Sequence, residues 1–186
     1  MHMNIGLIGA PGSGKDEVAK FLVEKRGFRR LAFADQIKAS YFAEIGITDE
    51  EFKAARGTAI ETVWRGGLWD YSSGMKYAHG DRYFIDPVLI KMEDSVEPVV
   101  ISDIRTSEEF NAVKNLVQVV LVIKDFEEDF YPIDGIKETS GIALRHLLGY
   151  PVIYNSYDNL DGLHKEIERL YDILSIHGGI NGSARL

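Results

Sequence analysis

Cysteine is absent from the 186 residues, which excludes disulfides, a thiolate zinc site and a thiol nucleophile, and agrees with a reducing compartment. No apolar run approaches the roughly 20 residues of a membrane span, and the first residues show no basic stretch leading into a long apolar core. The expected location is therefore the cytoplasm, with no membrane partner. Basic charge is in deficit: 21 Lys plus Arg against 29 Asp plus Glu give a formal charge of −8. That balance disfavours a nucleic acid polymer as partner while leaving room for a small anion in a local basic pocket. The five histidines show no metal-ligand spacing, and neither an internal repeat nor a dividing linker is present. With 45% hydrophobic residues, the length suits one domain with a substantial core.

What the chain does have is Gly9-Ala10-Pro11-Gly12-Ser13-Gly14-Lys15-Asp16, set between the apolar run Asn4-Ile5-Gly6-Leu7-Ile8 and a helix pattern of Val18, Ala19, Leu22 and Val23. Gly9, Gly14 and Lys15 satisfy G-x-x-x-x-G-K in a strand-loop-helix context, the setting of a phosphate-binding loop. Glycines let successive backbone N–H groups converge on one anion, the helix start adds partial positive charge, and the lysine reaches the outer phosphates. Asp16 stands where a Ser or Thr hydroxyl normally ligates magnesium. A carboxylate there can hold the metal directly or through water, and it also suits the start of a helix.

In chain order, residues 28–34 read as a second strand, and Asp35 reads as the cap of a helix whose apolar side carries Ile37, Tyr41, Phe42 and Ile45. Residues 48–94 change character and read as a helical insertion with loops: Thr48 and Glu51 form a capping-box pattern, 65–74 is turn-rich, and 81–93 resumes a helix that Pro87 either starts or kinks. Residues 98–103 are the strongest strand, ending in Asp103. A helix over 107–116 and a strand over 117–123 follow, then a polar segment with a helix pattern at Ile142, Leu144, Leu147 and Leu148. A last strand over 151–155 and a helix marked by Leu160, Leu163, Ile167, Leu170 and Leu174 close the chain. Continuous apolar strands separated by helices predict an α/β fold with a five-stranded parallel sheet and ligands outside the strands' carboxyl ends.

That rule brings together the loop at 9–16, the start of the helix at Asp35, and Asp103 with Arg105 and Glu109. Asp103 either faces the crevice or caps the next helix, and Arg105 either forks a phosphate or pairs with Glu109. Lys38, Arg56, Arg65 and Arg82 are further phosphate candidates or solvated charges. Trp64, Trp69, Tyr71, Tyr83 and Phe84 could stack a base or fill a core.

Gly14-Lys15-Asp16 with Val18-Ala19, Phe33-Ala34-Asp35-Gln36-Ile37-Lys38, and Ile101-Ser102-Asp103-Ile104-Arg105 with Glu109 together resemble the deoxynucleoside monophosphate kinases of bacteriophages and their cellular relatives. The resemblance implies a three-layer P-loop NTPase fold in a single domain: core at 1–34 and 95–177, a helical insertion that binds the monophosphate at about 35–94, and a short lid at about 124–145. It implies transfer of the γ-phosphate of ATP, with magnesium, to a deoxynucleoside 5′-monophosphate. Gly12, Ser13, Gly14, Lys15, Asp16, Glu17 and Val18 would line the ATP side, with Asp16 toward the metal. Asp35, Ile37, Lys38, Arg65, Phe84, Asp103, Arg105 and Glu109 would serve the acceptor, with Lys15, Asp103 and Arg105 catalytic. Lys124, Lys137 and Arg145 are lid cations in the same scheme. The expected partner is a small-molecule nucleotide, a homodimer is compatible with the chain, and a phage-encoded protein would work in the host cytoplasm.

Two departures stand out: the spacing from Thr58 to Arg65 is long, and Lys137-Glu138-Thr139-Ser140 lacks a lid histidine. The competing readings are a dephospho-coenzyme A kinase, a phosphomevalonate kinase-like enzyme, and a nucleotide-binding switch module without transfer activity. No N-K-x-D base-reading loop supports the switch.

Overall fold

The apolar runs become the strands of one sheet. In the computed structural model, which describes residues 3–124, 149–155 and 159–177, the strands are β1 (Ile5–Ile8), β2 (Arg29–Leu31), β3 (Val99–Ile104), β4 (Gln118–Lys124) and β5 (Val152–Asn155). All pairings are parallel, in the order β2-β3-β1-β4-β5. Every residue of β1 and β3 is buried, as expected of parallel strands covered on both faces. The chain runs outward from β1 to β2, returns at β3 and then crosses to β4. The carboxyl end of β1 therefore lies at the switch point, between β3 and β4. This is an α/β P-loop fold.

The chain divides into two compact units, Met1–Leu31 with Asp94–Leu186, and Ala32–Glu93. In the first, α1 (Lys15–Arg26) and α7 (Leu160–His177) cover one face of the sheet; the short α6 (Ser107–Val113) follows β3. Val18, Ala19, Phe21 and Leu22 of α1, with Leu163, Ile167, Leu170 and Leu174 of α7, pack on Ile5, Leu7, Val100, Val120, Val122 and Ile153. Truncating one such side chain to alanine costs about 2–5 kcal/mol, so Ile167→Ala alone would consume much of a domain's stability. Leu160, expected on this face, is instead exposed.

The second unit is helical: α2 (Phe33–Ile45), α3 (Asp49–Ala54), α4 (Ala59–His79) and α5 (Asp86–Glu93). Tyr41, Phe42 and Phe52 form its buried cluster, with Ile47, Trp64, Leu68 and Tyr71 packed against it. The capping box forms as the sequence predicts: Glu51 N–H donates to Thr48 Oγ1 at 3.1 Å and Thr48 N–H to Glu51 Oε2 at 2.7 Å. Pro87 lies in the first turn of α5, where its missing N–H costs nothing.

Three local expectations are corrected. Residues 65–74 are not a turn-rich loop; they lie inside α4, a helix of 21 residues. Trp64, Leu68 and Tyr71 recur at helical spacing against the aromatic cluster, and that packing outweighs the roughly 1 kcal/mol each helical glycine costs. Gly67 contributes by its smallness, since a Cβ there would collide with the Tyr41 hydroxyl. The second strand is shorter than expected because the helix begins at Phe33, and Asp35 is not its cap. Ala32 holds the cap position without a side-chain bond, leaving Asp35 in the first turn as an acid favourable to the dipole. The helix pattern at 142–148, Lys137, Arg145 and all of the expected lid except Lys124 lie outside the described residues.

Candidate functional site

The loop after β1 is held against the sheet by contacts only glycine allows. A Cβ on Gly9 would strike the Val122 carbonyl of β4 and come within 2.6 Å of Ser13 Oγ. Gly14 precedes α1 in a left-handed conformation, φ 100° and ψ 10°, which side chains rarely adopt. Ser13 is buried, its N–H donating to the Ala10 carbonyl at 3.1 Å, whereas Gly12 faces open space.

Lys15 is buried and folds back onto its own loop. Its Nζ donates to the carbonyls of Gly9 and Ala10, both at 2.7 Å, and to Ser13 Oγ at 3.4 Å. Burial first, and then the Arg105 guanidinium, push the Lys15 pKa below the ordinary lysine value, while the Asp16 and Asp103 carboxylates pull it back up. Those charges place Asp16, Asp103 and Arg105 in the field of the loop lysine, so the sequence segments around 15 and 103 meet in space.

Asp103 reaches that position through a slip in strand register. Between the pairs Gly6–Ile101 and Ile8–Ile104, β1 advances two residues and β3 advances three. The extra residue shifts the register and reverses the side on which the following residues point. Ile104 thereby shares the face of Gly6 and Ile8, and Asp103, just before it, falls on the face of Leu7 and α1, where Lys15 lies. The carboxylate is buried, at 6% exposure.

Asp103 does not cap α6; Thr106 does, in a reciprocal box with Glu109. Glu109 N–H donates to Thr106 Oγ1 at 3.2 Å, and Glu109 Oε2 accepts the N–H groups of Thr106 at 3.0 Å and Arg105 at 2.7 Å. Glu109, expected to bind the acceptor, is a buried carboxylate committed to the backbone that carries Arg105. The pairing of Arg105 with Glu109 thus runs through the main chain, and the Arg105 residue itself is exposed.

Two residues expected on the ATP side have contacts within the fold. Val18 is buried in the core and its N–H donates to the Gly14 carbonyl at 3.0 Å. Glu17 Oε1 lies 3.2 Å from His164 Nε2 of α7, whose ring packs 4.8 Å from Phe21, which ties the first turn of α1 to α7. Asp16 is exposed in that first turn.

In the second unit, Ile37 and Lys38 are half-buried on α2 and Asp35 is exposed. Arg65 donates to Glu61 Oε1 at 2.7 Å and lies over the Phe52 ring, 5.6 Å from its centroid. Arg82 pairs with Asp86 at the exposed surface, and Arg56 is likewise exposed. Phe84 is buried between Tyr71 and Tyr83, at ring separations of 6.3 and 4.9 Å. Trp64 lies against Phe52, so of the aromatics expected to offer a base a stacking face, Trp69 and Tyr83 are the exposed ones.

Sequence reasoning missed Asn155. Its Nδ2 donates to the Ser13 carbonyl at 3.0 Å, and this bond joins residues 142 apart, leaving no local signal. Thr106 was legible, because Thr-x-x-Glu is the capping pattern recognised at Thr48.

Among the described residues no group of three or more His, Cys, Asp or Glu could hold a metal unaided.

No protein-family model matches the chain. A protein of Acanthamoeba polyphaga mimivirus named "Putative deoxynucleotide monophosphate kinase" is 23% identical over 188 residues, covering 88% of this chain and 93% of its own. Among solved structures, TT1252 from Thermus thermophilus superposes with a TM-score of 0.51 at 18% identity, over 98% of this chain and 100% of that one. A shikimate kinase from Acinetobacter baumannii, in complex with shikimate, gives 0.49 at 14% identity over 95% of both chains. The likeness to TT1252 is one of fold, and no helix among the described residues is long and apolar enough to cross a membrane.

Proposed function

We propose that the protein is a kinase that transfers the γ-phosphate of ATP to a deoxynucleoside 5′-monophosphate, giving the diphosphate. The observation that carries a phosphotransferase is the loop at the switch point: a buried lysine on a glycine-built turn, with Asp103 and Arg105 acting on its charge. The choice of a deoxynucleotide as acceptor rests on the sequence resemblance and on the name of the mimivirus relative.

In this reading Lys15 leaves the carbonyls of Gly9 and Ala10 for the β- and γ-phosphates, and the N–H groups of the loop and of the first turn of α1 bind the remaining oxygens. Arg105 offsets the charge on the transferred group, Asp103 orients water on the Lys15 side of β3, and Asp16 would hold magnesium directly or through water. Magnesium, when bound, supplies further neutralisation of the phosphates. The reaction needs no covalent intermediate, only alignment and charge stabilisation. Asp35, Ile37, Lys38, Arg65 and Phe84 are the proposed contributors to acceptor binding, together with Asp103, Arg105 and Glu109.

The test is coupled ADP release with ATP and magnesium against dAMP, dGMP, dCMP, dTMP, AMP, GMP, dephospho-coenzyme A and phosphomevalonate, each compared with a no-acceptor control. Stimulation by a deoxynucleotide is expected. Stimulation only by one of the last two compounds would replace the acceptor, and ATP binding without any stimulation would replace the kinase with a nucleotide-binding module.

A further inference from the structure

We propose that Asn155 is a positioning residue that locks the Ser13–Gly14 peptide of the phosphate loop, keeping the Gly14 N–H available to a bound anion. The inference rests on the reading of the loop as a phosphate site. Asn155 ends β5, and its side-chain amide donates to the Ser13 carbonyl at 3.0 Å. That carbonyl and the Gly14 N–H belong to one peptide unit, which is planar and trans, as are all peptide bonds described. The two groups point in opposite directions, so fixing the oxygen toward β5 fixes the N–H away from it.

Such a lock is needed because Gly14 is the residue least able to hold its own peptide plane. Glycine occupies positive and negative φ with similar ease, and the plane before it can turn over at little steric cost. Turned over, it would present a carbonyl oxygen to the phosphate in place of a donor, and the site would lose an attraction and gain a repulsion. Asn155 sits directly on this peptide: a Cβ on Gly14 would stand 2.5 Å from its Nδ2. The amide also supplies a donor without adding negative charge beside Lys15. Donors held in place before the ligand arrives need no reorganisation when it binds, which is where such sites gain their strength.

The experiment is calorimetric titration of the full chain and of Asn155→Leu, which removes the donor at similar volume, with pyrophosphate, ADP and adenosine. Loss of one hydrogen bond's worth of organisation corresponds to about a five- to tenfold weakening. That loss is expected for pyrophosphate and ADP, with adenosine unchanged and the folded CD spectrum retained. Pyrophosphate affinity within twofold of wild type in the folded variant would overturn the proposal, as would equal weakening of adenosine, the mark of a merely structural role.

Should the variant not fold, the Gly14 amide resonance of the wild type decides. A downfield shift on adding pyrophosphate supports the lock, and an unmoved Gly14 amide beside shifting neighbours overturns it. A wild type that binds pyrophosphate yet serves no acceptor would remove the kinase reading and leave this inference standing. A wild type that binds neither pyrophosphate nor ADP would remove the phosphate site and this inference together.

Discussion

Replacing Glu109 separates a substrate ligand from a structural brace. Its buried Oε2 accepts two backbone N–H groups, those of Arg105 and Thr106. Hydrogen bonds to a charged acceptor contribute about 1.5–3 kcal/mol each, but the exposed Arg105 leaves its N–H within reach of water, so about 1–1.5 kcal/mol apiece is the better figure. Glu109→Ala keeps the Glu109 N–H bond to Thr106 Oγ1 and should cost about 2–3 kcal/mol. In a chain of this length that lowers the thermal midpoint by about 4–12 °C. Glu109→Gln retains one neutral acceptor and should cost about 1 kcal/mol. The assay pairs thermal melting with steady-state kinetics. Destabilisation in the order Ala, then Gln, is expected, with acceptor use declining in step as the Arg105 backbone loosens. A Gln variant that melts like wild type but whose acceptor KM rises more than about tenfold would refute the brace and restore Glu109 as a direct acceptor ligand.

Lys15→Ala should lower transfer by at least about a thousandfold with the melting profile retained, and near-normal turnover would remove the loop from the mechanism. Arg105→Ala should impair acceptor-dependent turnover more than ATP affinity; equal losses would mean that Arg105 serves the nucleotide. Because burial and Arg105 lower the Lys15 pKa and bound phosphate would raise it, ADP binding should take up a proton as pH climbs toward the lowered value. Titration from about pH 7 to about pH 10 should show affinity falling below the ordinary lysine pKa, a decline that Arg105→Ala moves to higher pH, and an affinity independent of pH would refute the assignment. For stability the sign is opposite: the unfolded chain binds this proton more readily, so the strain of the buried charge is present at neutral pH and relieved as pH rises through the folded pKa. Gly67→Ala should destabilise α4 by about 1–2 kcal/mol against the Tyr41 hydroxyl, with partial rescue by Tyr41→Phe; equal effects in both backgrounds would place the strain elsewhere.

The sheet was legible because parallel strands buried on both faces leave uninterrupted apolar runs, and 99–104 and 118–124 contain such runs. The phosphate loop was legible because its glycines, lysine and flanking elements all lie within one short stretch. What escaped depends on distant partners. Helix α4 carries Gly66, Gly67, Ser72, Ser73 and Gly74, which locally read as turns, and only the aromatic cluster across the unit makes the helix stable. The face on which Asp103 lies depends on a register slip against β1, which no property of β3 alone reveals. The Thr106–Glu109 cap is legible as a Thr-x-x-Glu pattern, but the bond from the Arg105 N–H to Glu109 is not, because it depends on how the chain leaves β3.

These contacts divide the loop into fixed parts and one movable part. Gly9 is wedged against the Val122 carbonyl of β4, the Ser13 carbonyl is tied to Asn155 at the end of β5, and Lys15 begins α1. The backbone is thus anchored to two strands and a helix. The Lys15 ammonium, by contrast, rests on the carbonyls of Gly9 and Ala10, neutral acceptors weaker than a phosphate oxygen. Filling the site therefore requires exchange of partners by one side chain with no refolding of the loop. The desolvation that makes Lys15 a strained cation in the free chain then becomes attraction for the anion that replaces those carbonyls.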